Sequence, residues 1–480
     1  MRQPSTTPAR AIIIGGSLAG MLAAAAVRDC GGTVEILEAH EIPEGPSPRV
    51  GVPQAAHYHV LLSGGADAID ELIPGTIKEL IRQGAVRVPM TTNMVLLSPE
   101  GWYRRWKSDT HYLIAATRDL TDSVIRRRIA DDPQVNFLPR VKAVALLGDR
   151  HRVTGVRIRS ADGTETDRAA DLVIDASGKG TGTPRWLAEN LGISGLVSER
   201  VKSGLTYASR LYRAPVPTHN WPFVSIQADP RHLNTAKTGG ILPVDGERWH
   251  VSLIGPPGAA PTADPDQFLS YARGLRHPIV ADLLAHAEPL SDVAITHSTV
   301  NTRHYYERLD VWPDGLVAVG DSVAHFNPVY GHGMSVAALG ALALRTQLES
   351  RGVTRGLARR IQKAVARPVE LAWSLAVGQD KRYPGAEGTQ NRYVDRLLQQ
   401  YVSRLSRTAT GSFHVATAMT DVLTLKAPST SLVRPDVLAA AAIGPLRPLL
   451  SKPTFTAREL GLLQGAGFEV GRAGTAQHQP

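Results

Sequence analysis

Cys30 is the only cysteine in this 480-residue chain. A single thiol builds no intrachain disulfide and no cysteine metal cluster, and it suits a reducing cytoplasm, the expected compartment. Long apolar runs are missing as well. Ala11–Ile14 is too short for the core of a signal peptide, and the small-residue run Leu18–Val27 has no cleavage context. Ala439–Leu450 is interrupted by prolines and an arginine, so no transmembrane segment is expected, and at most a peripheral contact with a membrane surface. Acidic residues fall short of basic ones, 44 against 53, for a net charge of +9. The densest basic run, Arg126-Arg127-Arg128, is too short for a nucleic-acid footprint and reads as a solvated helix face. The surplus suits an anionic cofactor, an acidic carrier protein or a membrane surface. Internal repeats and low-complexity segments are absent too.

What is present begins with Ala11-Ile12-Ile13-Ile14, a buried strand that runs into Gly15-Gly16-Ser17-Leu18-Ala19-Gly20. A small-residue helix (Met21–Arg28) and a second strand (Thr33–Leu37) follow, ending at Glu38-Ala39. This is a βαβ unit with dinucleotide-binding spacing. Gly15 permits the tight turn and Gly20 lets the helix pack on the strand, while Ser17 replaces the usual central glycine. Glu38 stands where a carboxylate binds adenosine ribose hydroxyls, which favours FAD or NAD over NADP.

A second strand end is Asp171–Gly178, where an apolar run closes on Asp175-Ala176-Ser177-Gly178. A third is Gly315–Leu344, in which Leu316–Val319 reads as a buried strand and Gly320-Asp321 ends it. A loop with Pro328, Gly331 and Gly333 then leads into a helix from Met334. A carboxylate at a strand's end facing helix N-terminal amides suits a ligand with hydroxyls at one end and electron-rich oxygens at the other.

Between these lie Pro46–Ser63, a loop passing into a helix, in which Arg49 is a phosphate or flavin-edge partner. His57 and His59 there read as polar packing rather than metal ligands. Strands are expected across Val88–Trp106, and an amphipathic helix opens near Arg118, which could reach an anion or pair with Asp119 or Asp122. Val135–Leu147 and Arg152–Arg159 read as a β-pair. Gly204–Thr302 carries strand-like runs separated by prolines, with a helix near Pro265–Arg273. The helix from Met334 is expected to reach about Gln362 with a break at Gly352. Beyond it the chain is helical with breaks at Pro384-Gly385, Pro428 and Pro445. Loose tails are expected over Met1–Arg10 and Ala466–Pro480.

The order of the three strand ends resembles the single-component flavoprotein monooxygenases of the p-hydroxybenzoate hydroxylase fold, from about Ala11 to Ala343. PRVGVPQAAHYHVLLSGG and GDSVAHFNPVYGHGMSVAAL are most similar to squalene-epoxidase-like flavin epoxidases of bacterial polyether and polyketide pathways. The resemblance implies an α/β fold: a Rossmann-like FAD-binding domain, an inserted antiparallel β-sheet substrate domain and a helical C-terminal region. FAD-binding parts then span residues 1–85, 116–200 and 304–362. Substrate-domain parts span 86–115 and 201–303, and the helical region spans 363–480.

By the same resemblance Gly15, Gly16, Ser17, Leu18, Ala19 and Gly20 surround the FAD pyrophosphate, and Glu38 with Ala39 meets the adenosine ribose. Arg49, Val52 and Arg118 lie along the pyrophosphate and ribityl chain, and Asp321 binds the ribityl hydroxyls. Pro328, Gly331, Gly333 and Met334 flank the flavin ring. NAD(P)H is implied as transient reductant, and one oxygen atom passes from the flavin C4a position to a large apolar substrate, free or carrier-bound. Olefin epoxidation leads these expectations, because an alkene needs no base to ionise it. Aromatic hydroxylation would want one, and only His325 and His332 flank the loop as weak candidates. Ser177-Gly178 replaces the family's Asp-Gly pair, which keeps open a cyclase that uses FAD structurally. No WxWxIP segment supports a halogenase, and no metal site is expected.

Overall fold

The computed structural model describes residues 10–297, 300–351, 354–383, 386–387 and 392–468. The expected helix break at Gly352, the break at Pro384-Gly385, and most of both expected tails lie outside these residues. Five parallel strands form the first sheet, in the order Leu316–Ala318, Leu172–Asp175, Arg10–Ile14, Thr33–Glu38 and Val135–Pro139. The three central strands are rich in Ile, Leu and Val, and Ile12, Ile13, Val173, Ile174 and Val317 are completely buried. Both faces must therefore be covered. The helices Leu18–Arg28, Gly333–Arg351 and Leu357–Asp380 contribute to that core.

Register decides where the sequence signals meet. Ile14 pairs with both Leu37 and Asp175, and Asp175 pairs with Ala318. The turns after the three strands thus leave the sheet at one level on its carboxyl edge, where α/β sheets bind ligands.

A mixed sheet of eight strands lies in a second core, including Thr206–Arg213, Arg248–Gly255, Thr238–Val244, Phe223–Ile226 and Met94–Ser98. Its pairings are antiparallel except for Phe223–Ile226 beside Met94–Ser98. The predicted helix Pro265–Arg273 forms with Asp264 as its N-cap, whose side chain accepts the Asp266 amide. The C-terminal helices Arg392–Ala409, Phe413–Leu423 and Pro435–Ile443 pack on one another around Leu405, Val415 and Val437.

Four local expectations change. Pro46–Ser63 does not pass directly into a helix: His59–Leu62 is a strand paired with Leu113–Ala116, and the helix starts at Ser63. Val135–Pro139 joins the parallel sheet, so Lys142–Gly148 pairs with Val153–Arg159 without it. The helix from Gly333 ends by Arg351, and a separate one runs unbroken from Leu357 to Asp380, across the expected boundary at 362. Gly356, left-handed at φ 76°, caps that second helix. Arg126 is not solvated. It is 6% exposed, donating to Asp122 and to the carbonyls of Pro43 and Gly45.

Candidate flavin and substrate site

The dinucleotide turn is built as its glycines require. Gly15 has φ 103°, and a Cβ there would stand 2.5 Å from the Ala176 carbonyl oxygen. One on Gly20 would stand 1.9 Å from the Gly15 oxygen, so only glycine lets this helix sit on the turn. Ser17 is the N-cap, but its side chain makes no capping bond. It instead accepts a hydrogen bond from Arg118 Nη2 at 3.0 Å. The first-turn amides of the helix that follows are left for a ligand by the geometry of any helix start.

Glu38 closes this turn from behind. Its Oε2 accepts the Gly16 amide at 3.1 Å and Arg49 Nη2 at 2.6 Å, and its Oε1 accepts the His40 amide at 3.0 Å. Arg49 Nη1 reaches the Gly16 carbonyl and Asp122 Oδ2, both at 2.9 Å. The fork of Arg49 is therefore spent inside the protein, behind the cavity wall. Ala39 is exposed.

Arg118, Asp122 and Arg126 follow at four-residue intervals on one helix, hence on one face. That spacing was available in the sequence and would have placed Asp122 in the cluster. Arg49, Arg118 and Arg126 are all buried with Glu38 and Asp122, so this buried set carries one cation in excess. Arg118 lies 3.9 Å from Asp122, its Nε is buried with no partner among the described residues, and it lines the cavity. Burial, opposed by Asp122 and Asp321, pushes its guanidinium below the usual range. A buried cation with an unspent donor is an anion's counterpart.

Asp321 sits in the turn Gly320–Ser322, half-exposed, with Oδ2 3.4 Å from His325 Nδ1. Gly320 has φ 59°, and Gly331 has φ 66° with room for a Cβ blocked by Val60 at 2.4 Å. The short turn Pro328–Tyr330 is capped by the Asn327 side chain, and the next helix begins at Gly333. His332 is 1% exposed and its Nε2 faces the Leu423 carbonyl at 3.2 Å. Burial pushes its pKa down to about 4. It ties the loop to the C-terminal helices as a neutral ring.

Asp175 is fully buried and satisfied by hydroxyls. Its Oδ1 accepts the Ser177 amide and hydroxyl and Ser322 Oγ, and its Oδ2 accepts Thr181 and Thr183. A further network had no signal in the sequence. Asp380, fully buried, accepts from Tyr330, Asn327 and Asn301, while Tyr207 donates to Asn327 and takes the Val329 amide at 2.9 Å. Burial pushes the Asp380 carboxyl up.

A single cavity of about 1460 Å³ joins these parts. Ser17, Leu18, Ala19, Val52, Arg118, Asp321, His325, Pro328, Gly331, His332, Gly333 and Met334 line it, as do Ser177 and Gly178. Apolar side chains form part of its other walls: Met94, Leu96 and Phe223 from the mixed sheet, and Leu405, Met419 and Leu423 from the C-terminal helices, with polar residues such as His57, Ser225 and Gln227 between them. Gly15, Gly16, Gly20, Glu38 and Arg49 stand behind the lining and shape it. No group of three or more potential ligands for a metal ion occurs among the described residues.

A glycine turn and a second helix start that open on one cavity suit an extended dinucleotide, as in the FAD-dependent oxidoreductases. The chain belongs to that class. The family model for FAD dependent oxidoreductases matches residues 11–182. Protein Rv3254 of Mycobacterium tuberculosis is 30% identical over 382 residues, 77% of this chain and 79% of that protein, and the two belong to one family. The flavoprotein/dehydrogenase of Cytophaga hutchinsonii shares the fold with a TM-score of 0.62 and 16% identity, over 90% of this chain and 96% of that one. p-Nitrophenol 4-monooxygenase PnpA of Pseudomonas putida does so at 0.57 and 15%, over 87% and 98%. A flavin-dependent halogenase shares it too. Among the described residues no helix is long and apolar enough to cross a membrane.

Proposed function

We propose that the protein is an FAD-dependent monooxygenase that places one oxygen atom from O2 on a large apolar natural-product substrate, with olefin epoxidation as the reaction. The observation that carries this reading is the continuity of the cavity, which runs from Ser17, Arg118 and Asp321 to a wall of Leu, Met and Phe side chains. FAD fits the first end: the unpartnered Arg118 Nε calls for an anion, and Gly15 and Gly20, which admit no Cβ against the backbone, bring the helix start after Ser17 to the cavity. In this reading Arg118 and the amides after Ser17 take the pyrophosphate, and Asp321 accepts the ribityl hydroxyls. The amides from Gly331 to Met334 would hold the electron-rich edge of the ring, since a helix start favours negative charge.

Bound FAD supplies the activation of dioxygen, with NAD(P)H giving two electrons and the second oxygen leaving as water. The chain's own residues hold, orient and exclude. The apolar wall excludes water and seats the hydrocarbon. His332, neutral and bonded to Leu423, keeps the loop and the C-terminal helices in fixed relation. An alkene requires no general base, so this reading asks no proton transfer of His325, which lines the cavity beside Asp321. The substrate is free or carrier-bound, and the work is done in the cytoplasm.

A second reading rests on Ser177–Gly178. The Ser177 hydroxyl is committed to Asp175 at 2.5 Å, and the Gly178 amide to Ser322 Oγ at 2.9 Å. With serine rather than aspartate at position 177, the site suits a cyclase that keeps FAD as a prop. Incubation with candidate polyenes under labelled dioxygen separates the two. One labelled oxygen in the product with NADPH consumed supports the monooxygenase; a product of unchanged mass with NADPH untouched supports the cyclase.

A further inference from the structure

His57 takes no part in the flavin contacts, yet its surroundings are built. It ends the short turn Pro53–Ala56 in extended backbone and is 5% exposed. Its Nδ1 lies 2.8 Å from Ser209 Oγ, which lies 2.6 Å from Ser252 Oγ. Ser209 and Ser252 are direct partners on neighbouring antiparallel strands, so they share a sheet face. The same row continues through Gly240 to Ser225, which lines the cavity. Tyr207, two residues before Ser209 on that face, has its ring 5.9 Å from His57 and bonds the Val329 amide of the loop before Gly331.

His57 itself lines the cavity, and its Nε2 finds no partner among the described residues. With Nδ1 taken up by Ser209, Nε2 is the ring nitrogen left for a ligand in the cavity. Burial holds the ring neutral, with its pKa pushed down to about 4. The two serine hydroxyls can rotate, so they support either tautomer, and Nε2 is then either an acceptor or a donor. A hydroxyl group matches both.

We propose that His57 is a specificity-determining residue whose Nε2 hydrogen-bonds a hydroxyl group of the substrate, an alcohol or phenol, and so registers an otherwise apolar molecule against the loop Pro328–Tyr330. The substrate class is therefore hydroxylated rather than pure hydrocarbon. This deepens the monooxygenase reading and rests on it for the reaction, though not for the binding.

The test uses FAD-reconstituted protein and isothermal titration calorimetry with two probe pairs, farnesol against farnesene and 2-naphthol against naphthalene. In the unaltered protein at least one hydroxylated probe binds about tenfold or more tightly than its hydrocarbon. His57→Leu brings that ratio to about one while leaving the hydrocarbon's affinity in place. His57→Gln restores part of it, and Ser209→Ala lowers it less than His57→Leu does. Each variant's unfolding temperature shows that it is folded; should His57→Leu fail to fold, the His57→Gln and Ser209→Ala ratios decide. Equal affinity within both pairs, no binding of either hydroxylated probe, or a ratio unmoved in the folded variants overturns the proposal. Failure to consume NADPH on the same sample would instead sink the monooxygenase reading and leave the probe ratios intact.

Discussion

Gly320 and Ala19 meet across the carboxyl edge of the parallel sheet: a methyl group on Gly320 would stand 2.6 Å from the Ala19 Cβ. Three hundred residues of chain lie between them, and their contact sets Asp321 beside the dinucleotide turn. With φ at 59°, Gly320 meets both a conformational and a spatial restriction.

Gly320→Ala is accordingly expected to destabilise the protein by about 1–3 kcal/mol, from the left-handed backbone and the clash together. It should also weaken FAD retention, because Asp321 must shift with its turn. Thermal unfolding and flavin absorbance after gel filtration measure the two. An unchanged flavin content would separate the contact from the site.

Arg118→Met removes a guanidinium whose Nε is unpaired in the absence of an anion. FAD binding should weaken about 10- to 100-fold, as expected for a charge-assisted contact of about 1.5–3 kcal/mol. The flavin-free protein should lose little or no stability, since a poorly compensated buried cation goes with it. Fluorescence titration with FAD, alongside melting of the flavin-free form, checks both halves. A large loss of flavin-free stability would show that Arg118 serves the fold instead.

Asp380→Asn keeps the shape of the side chain and removes its charge. Asn327 and Asn301 both present Nδ2 donors to Asp380, and Tyr330 presents its hydroxyl. An asparagine amide group would confront those donors, at a cost of about 2–4 kcal/mol. Urea unfolding should reveal it. Asp380→Ala should disturb the Pro328–Tyr330 turn further, read as altered flavin fluorescence.

Stability should fall with acid below neutrality. Burial pushes His57, His250 and His332 down to about 4 and His59 to about 3, against 6.5 for a free imidazole. The folded state holds these rings neutral, so the unfolded state binds more protons between pH 6.5 and about 4. The stabilisation is complete above pH 6.5 and is lost as pH falls through that window, by up to about 1.4 kcal/mol per pH unit for each histidine. Melting temperatures across the window measure the slope. His332→Gln should make it shallower, and a parallel slope would rule that ring out as a contributor.

The glycine turn was legible because its requirements are local: Gly15 needs a positive φ and Gly20 a missing Cβ, and both are written in residue type. The third strand end at Gly320-Asp321 could be read for the same reason. Arg126 is not legible in this way, because a triplet of arginines resembles a solvated face until the carbonyls of Pro43 and Gly45 close over it. Val135–Pro139 and Lys142–Gly148 look like one strand in sequence because nothing in their composition names a partner.

The sequence by itself determined the βαβ start, the three strand ends and the mixed layout of helices and sheets, all of which follow from short-range periodicity and backbone chemistry. Only the tertiary structure decided that these strand ends share one level, through the register of Ile14, Asp175 and Ala318. It alone set Arg49 behind Glu38, gathered Asp380 with Asn327 and Tyr330, and aligned His57 with Ser209. Those are pairings between distant segments, and their energy depends on burial that no single segment possesses before the chain has closed on itself.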